Sequence, residues 1–233
     1  MPPARWWSGV SDGVSEATRI VAVRHGETAW NAVSRMQGHQ DIALNDVGRS
    51  QAQCVAAALR DEGIDAIYAS DLQRAFETAQ AISQVIGAPI VADPGLRERA
   101  FGDFETLTHA DIEAHWPQAA RRWRERDPDF APAGGESLRE FHARCIGAVA
   151  RWAAAHAGQT IAIVAHGGVM DCLYRAATRI DLQAPRSWAL GNASINRLLY
   201  SPEGFTLVGW SDTRHLDEAA RDESSDGKIS PGI

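Results

Sequence analysis

The strongest constraint on this chain is an alternation of two kinds of segment. Short apolar runs occur at residues 19–24 (RIVAVR), 65–70 (DAIYAS), 89–93 (PIVAD), 160–166 (TIAIVAH), 195–201 (INRLLYS) and 205–211 (FTLVGWS). Their length and β-branched content mark them as strands. Between them, residues 45–63, 71–87, 136–158 and 168–180 repeat apolar side chains at helical intervals, as in Val55, Ala58 and Leu59 or Ala75, Ala79 and Ile82. Gly63, Gly87 and Gly158 are the expected helix stops. Strands alternating with helices form a mostly parallel sheet covered on both faces. The predicted fold is therefore an α/β, three-layer α/β/α sandwich. The last two runs, joined by SPEG, predict a hairpin at one sheet edge.

Residues 99–135 break this rhythm. They carry Pro117, Pro128 and Pro132, and a group of arginines (121, 122, 124 and 126) among Trp116, Trp123 and Phe130. One or two short helices forming a cap insertion are expected here. The whole reads as one domain over residues 19–214, with a flexible N-terminal tail at 1–18 and a flexible acidic tail at 215–233. Trp6 and Trp7 either dock on the domain or belong to a loose tail.

Composition limits the partners. Of 233 residues 45% are hydrophobic and 23% charged, and the net charge is −7. Excess acid argues against nucleic acid and against an anionic membrane surface. It leaves room for an acidic substrate in a small basic pocket. Cys54, Cys145 and Cys172 are too few and too scattered for a disulfide framework or a metal site, and read as small apolar side chains. The N-terminal stretch has no apolar core of a signal peptide, and no run has membrane-spanning length. A reducing cytoplasm is the expected compartment.

In open α/β sheets ligands bind beyond the carboxyl ends of the strands. RHGE follows the first strand and AHGG ends the fourth. DLQRA follows the second, placing Arg74 in the first turn of a helix that Ser70 or Asp71 is expected to cap. If these ends meet, Arg24, His25, Arg74 and His166 share a pocket with a helix N-terminus. Exposed N–H groups there favour an anion, and the planar fork of arginine suits phosphate. Gly26 and Gly167, each directly behind a histidine, allow a sharp turn or a close ligand. Two histidines in one anion site divide the work. A neutral imidazole is a nucleophile, and a second, protonated one stabilises the transferring oxygens. The leaving alkoxide needs a proton. Glu98, just after the third strand, is the nearest candidate, with Asp103 and Glu105 behind it.

Taken singly, these residues have plainer readings. Arg74 could pair with Glu77 or Asp71 along its own helix. Glu98 could be a solvated loop carboxylate, Asn31 a cap, and Gln37 with Gly38 an ordinary turn. His39, His109, His115, His142, His156 and His215 show no metal-ligand spacing and read as surface or structural.

Six motifs, RHGETAWN, QGHQDIALNDVGRSQA, YASDLQRAFETAQAI, LRERAFGDFE, GGES and VAHGGV, occur in order over roughly residues 19–211. Together they resemble the histidine phosphatase superfamily, the phosphoglycerate mutase-like family. The resemblance implies that fold, with His25 as the nucleophile that becomes phosphohistidine. It implies that Arg24, Arg74 and His166 clamp the phosphoryl group. Glu98 becomes the proton donor and later the base for water, and Asn31, Gln37 and Gly38 line the phosphate pocket. No metal is implied. One position departs from the pattern: Thr106 stands where many relatives have glycine.

The resemblance leaves the reaction open. The stretch from Glu98 to His166 is shorter than in the cofactor-dependent mutases, and GGES is similar to the phosphatase branch. Against this, Arg121 and Arg122 resemble the arginine pair by which mutases hold a substrate carboxylate; read alone, they form a solvated helix face. The expectation is a phosphomonoesterase without cofactor, acting on a small-molecule phosphate ester. The alternatives are a mutase using 2,3-bisphosphoglycerate and, behind it, a phosphate-binding protein without turnover. Exposed edge strands would permit a homodimer.

Overall fold

The computed structural model describes residues 16–217. All six apolar runs form strands: β1 (Thr18–Arg24), β2 (Ala66–Ala69), β3 (Ile90–Ala92), β4 (Thr160–Ala165), β5 (Ile195–Ser201) and β6 (Gly204–Asp212). They make one sheet in the order β3-β2-β4-β1-β5-β6. The first four of that order run parallel, β5 is antiparallel to β1, and β6 closes the edge hairpin. Three adjacent strands, β2, β4 and β1, therefore end on the same side. Arg24 lies opposite Ala165, and the His25 N–H donates to the Ala165 carbonyl over 2.9 Å.

The strand alternation assigns each residue to a layer. Ile20 and Ala22 of β1, with Ile161 and Ile163 of β4, face Phe141 and Cys145 of α6 (Leu138–Ala154) and Met170 and Leu173 of α7 (Gly167–Thr178). Val21 and Val23, with Ala162 and Val164, face Ala52 and Val55 of α2 (Asp46–Ala58) and Ala79 and Ile82 of α3 (Gln73–Ile86). Burial on both sides explains why these strands read as continuous apolar runs. Cys145 and Cys172 are buried in the first layer, as expected of small apolar side chains, and Cys54 is partly exposed.

The cap carries two short helices, α4 (His109–His115) and α5 (Pro117–Arg124), over a small core of Phe104, Ile112, Ala120 and Phe130. A four-residue helix, α1 (Ala29–Ala32), follows the β1 loop and is capped by Thr28. Thr106 adopts φ +73, a left-handed conformation that a glycine would take without strain.

Several boundaries differ from expectation. Of the three expected stops only Gly87 is a left-handed helix cap; α2 and α6 end at Ala58 and Ala154, and Gly63 and Gly158 come after further irregular turns. Neither Ser70 nor Asp71 caps α3. Asp41, 32 residues away, accepts the Gln73 N–H over 2.6 Å. Asp71 instead takes a two-pronged contact from Arg97, at 2.7 and 2.6 Å. The domain also extends past both expected limits: Thr18 opens β1, His215 contacts the Ala193 carbonyl at 3.0 Å, and Leu216 packs on the α2–α3 layer. Trp6, Trp7 and the rest of both expected tails lie outside the described residues.

Gly26 has a different reason from the one its position suggested. A Cβ there would lie 2.3 Å from the Gly48 carbonyl oxygen, and one on Gly48 would lie 2.0 Å from the Glu27 carbonyl oxygen. The first turn of α2 is thus pressed backbone to backbone against the loop that carries His25. Helix propensity alone makes Gly48→Ala stabilising by about 1 kcal/mol. The contact reverses the sign, so Gly48→Ala should lower stability by about 2 kcal/mol, read by urea unfolding; a gain would contradict this packing.

Candidate active site

Arg24, His25, Arg74, Glu98 and Gly167 line one cavity of ≈ 590 Å³, together with Asn31, Gln37 and Gly38. The strand ends therefore converge as the topology requires. His166, fully buried, stands beside it with its ring centroid 5.2 Å from that of His25, at an interplanar angle of 60°.

The loop that holds His25 is tied from several sides. The Gly26 N–H donates to Thr78 Oγ1 at 3.2 Å, and Asn192 Nδ2 donates to the carbonyls of His25 and Gly26 at 3.0 and 3.3 Å. His25 Nδ1 lies 2.7 Å from the Gly26 carbonyl. A carbonyl only accepts, so Nδ1 carries the proton and Nε2 keeps a lone pair. Burial, with Arg74 and Arg24 close by, holds the His25 pKa well below the usual histidine range. The ring is neutral at neutral pH.

His166 is also held well below that range, by burial and then by Arg74, His25 and Arg24. The expected protonated partner is thus neutral in the free protein. Its Nε2 lies 2.8 Å from Ser70 Oγ, which itself accepts the Leu72 N–H at 3.3 Å. The hydroxyl can donate to His166 Nε2 or accept from it. Nδ1 is buried with no partner among the described residues. In the tautomer that carries its proton on Nδ1, a neutral His166 donates to an anion without a second proton.

Arg74 is buried to 1% exposure and does not pair with Glu77 or Asp71. Its fork donates to the carbonyls of Gly38 and Gln40, each at 2.8 Å, and burial pulls its pKa down to about 10. It stays charged at neutral pH. Arg24 donates to the Leu190 carbonyl, and burial lowers its pKa as well. The Nε atoms of both arginines are buried without a partner among the described residues. Buried donors left open around one cavity fit an anion.

Glu98 is set at the start of α7. Its Oε2 accepts the Gly168 N–H at 3.0 Å, and its Oε1 accepts the Arg99 N–H at 2.9 Å. A Cβ on Gly168 would lie 2.1 Å from Oε1, so the second glycine of HGG makes room for this carboxylate. His39 Nε2 and Arg144 hold the Glu98 carbonyl at 2.8 and 3.2 Å. Asp103 is exposed, and Glu105 is used by the N–H groups of His39 and Phe101. Asn31 closes a capping box with Thr28, and Gln37 accepts from the Thr28 hydroxyl at 3.1 Å.

Arg121 and Arg122 are a correction. Both are exposed and outside the cavity lining, paired with Glu125 at 2.8 Å and Asp127 at 2.7 Å. On α5 they face away from the site, the solvated helix face of their plainer reading. The cavity takes other arginines instead: Arg35, Arg99, Arg126 and Arg186. Of these, Arg99 braces the cap by donating to the Phe130 and Glu136 carbonyls and lying 4.4 Å over Trp123. Asn192, His39 and these arginines had no local signal in the sequence.

Residues 20–213 match the model of the histidine phosphatase superfamily (branch 1). The chain is 41% identical to phosphoglycerate mutase-like protein 4 of Arabidopsis thaliana, over 85% of this chain and 87% of that one. It is 37% identical to a metal-independent phosphoserine phosphatase of the same organism, over 90% and 88%. A solved mycobacterial glucosyl-3-phosphoglycerate phosphatase superposes with a TM-score of 0.77 at 36% identity, covering 84% of this chain and 100% of that one. With a matching family model over most of its length and relatives well above 30% identity, the chain belongs to branch 1 of the histidine phosphatase superfamily.

Proposed function

We propose that this phosphomonoesterase works through a phosphohistidine at His25, without a metal, on a small-molecule ester in the cytoplasm. The observation that carries the reading is the fixed Nδ1–H of His25, which leaves Nε2 free in a cavity lined by Arg24 and Arg74, whose Nε atoms have no partner among the described residues. Nε2 attacks phosphorus, the bond from phosphorus to the ester oxygen breaks, and the leaving oxygen takes the proton of Glu98. The imidazolium so formed keeps its Nδ1–H on the Gly26 carbonyl. Glu98 then removes a proton from water, the water oxygen attacks phosphorus, and the phosphorus–nitrogen bond breaks. Arg24, Arg74 and His166 hold the phosphoryl oxygens throughout. The metal-free reading is supported by the metal-independent relative in Arabidopsis. Among the described residues no cluster of three or more His, Cys, Asp or Glu side chains is suited to an ion, and no helix is long and apolar enough to cross a membrane.

A mutase shares this core, and several relatives carry a phosphoglycerate mutase or mutase-like name. The arginines expected to hold its substrate carboxylate, Arg121 and Arg122, stand outside the cavity, which favours hydrolysis.

Two outcomes follow. In EDTA the wild type should turn over p-nitrophenyl phosphate and yield an acid-labile phosphoenzyme, while His25→Ala should lose both; equal turnover in the two would refute the role of His25. Glu98→Gln should slow hydrolysis of an alkyl phosphate by about 10²–10⁴-fold. With p-nitrophenyl phosphate, whose leaving group needs no proton, the same variant should release a burst of nitrophenol and accumulate phosphoenzyme. An equal loss on both esters, without a burst, would remove Glu98 from the proton-donor role.

A further inference from the structure

The hydrogen bonds on the Glu98 carboxylate come from backbone: the Gly168 N–H at 3.0 Å and the Arg99 N–H at 2.9 Å. Where that carboxylate stands relative to His25 therefore depends on where the chain around residue 98 lies. The segment leading into it, residues 93–98, is one short turn (Pro94–Leu96) and its flanks, with no strand or α-helix of its own.

One face of α6 supplies what this segment lacks. Phe141, Arg144, Ala148 and Arg151 recur at helical intervals and share a side of that helix. Arg151 and Trp152 both donate to Asp93 Oδ2 at 2.6 Å, and Asp93 Oδ1 accepts the Gly95 N–H at 2.7 Å. Gly95 rests on Ala148, where a Cβ on the glycine would lie 2.9 Å from the alanine Cβ. Phe141 packs by Gly168: a Cβ there would lie 2.9 Å from its ring.

Arg144 is the centre of this face. Its Nη1 donates to the carbonyls of Gly95 at 3.1 Å and Arg97 at 3.0 Å, and its Nη2 to that of Glu98 at 3.2 Å. Nε and Nη2 donate to the two oxygens of Glu136, each at 2.7 Å. Every N–H of the guanidinium then has an acceptor. Glu136 Oε2 also accepts the Ala100 N–H at 2.9 Å, so the pair grips the chain on both sides of Glu98. The neighbouring side chains are tied elsewhere, Arg97 to Asp71 and Arg99 to the Phe130 carbonyl. Neither Arg144 nor Glu136 lines the cavity. A partly exposed ion pair contributes little to stability; what this one does is fix backbone.

We propose that Arg144 is a positioning residue for proton transfer: by holding the carbonyls of residues 95, 97 and 98 it sets the distance from the Glu98 carboxylate to the leaving oxygen. Glu136 orients the guanidinium. The proposal rests on the phosphomonoesterase reading and adds a residue outside the cavity on which protonation depends.

Phenyl and p-nitrophenyl phosphate test it, being similar in size while the phenolate, the poorer leaving group, gains far more from a proton. Arg144→Lys keeps the charge but not the planar fork. It should lower kcat/KM for phenyl phosphate by about tenfold and leave that for p-nitrophenyl phosphate within about twofold of wild type. Added to Glu98→Gln, the same change should cost phenyl phosphate less than about twofold more, because the group it positions is gone. If Arg144→Lys does not fold, Glu136→Gln carries the test, with the same pattern at about threefold. An equal loss on both esters in a folded variant, or the full tenfold added to Glu98→Gln, would make the clamp a plain structural feature and overturn the proposal. So would unchanged turnover of phenyl phosphate. Any of these leaves the proton-donor role of Glu98 standing when Glu98→Gln itself separates the two esters; if it does not, that role falls and this one with it.

Discussion

Positive charge buried at the tips of apolar strands is the constraint around which this structure is arranged. Among the described residues Arg24 and Arg74 make no ion pair at contact distance; they donate to backbone carbonyls, and burial lowers both pKa values, with Glu98 acting in the opposite direction. Two imidazoles beside them are kept neutral by burial first and by these guanidiniums second. Desolvating a guanidinium with no carboxylate in contact is expensive, and the rigid sheet is what enforces it. A phosphate dianion relieves that cost, so affinity for the phosphoryl group follows from the fold. The neutral state of His25 follows too, and it is the state a nucleophile needs.

This explains why the scaffold around the loop is so tightly specified. The Gly26–Gly48 contact, the Asn192 clamp on the His25 carbonyl and the Thr78 hydroxyl on the Gly26 N–H each restrict where the imidazole can point. Glu98 is fixed by its neighbours in the same way, with Gly168 supplying both an N–H and the space. In a cavity with six guanidiniums on a chain of net charge −7, the local field and the global charge have opposite signs. Only the local one bears on the substrate.

Much of this was legible in the sequence, for physical reasons that also mark its limits. The strands were readable because β1, β2 and β4 are buried on both faces and so are continuously apolar. His25, Arg24, Arg74 and His166 were readable because each follows or ends such a run, and parallel strands deliver their ends to one edge. Glu98 was readable as the carboxylate nearest the end of the third strand, ahead of Asp103 and Glu105, and the family motif agreed with that choice. The cap of α3 was missed because Asp41 arrives from another segment. Arg121 and Arg122 were misplaced because the direction a surface helix faces depends on how the cap sits, which composition does not encode.

The second histidine shows how geometry refines chemistry. A protonated imidazole was expected at the phosphoryl group, yet burial and neighbouring cations disfavour it in the free protein. With the Ser70 hydroxyl donating to Nε2, a neutral ring can still donate through Nδ1. Arrival of a dianion then favours the charged form and raises the His166 pKa. The most direct measurement is a nitrogen-resolved NMR titration of the His25 and His166 rings, alone and saturated with orthovanadate. The account predicts both rings neutral at pH 6 in the free protein, His25 with its proton on Nδ1, and an upward shift of the His166 titration when the anion binds. A cationic His25 at pH 6 in the free protein, or two rings that ignore the anion, would contradict it.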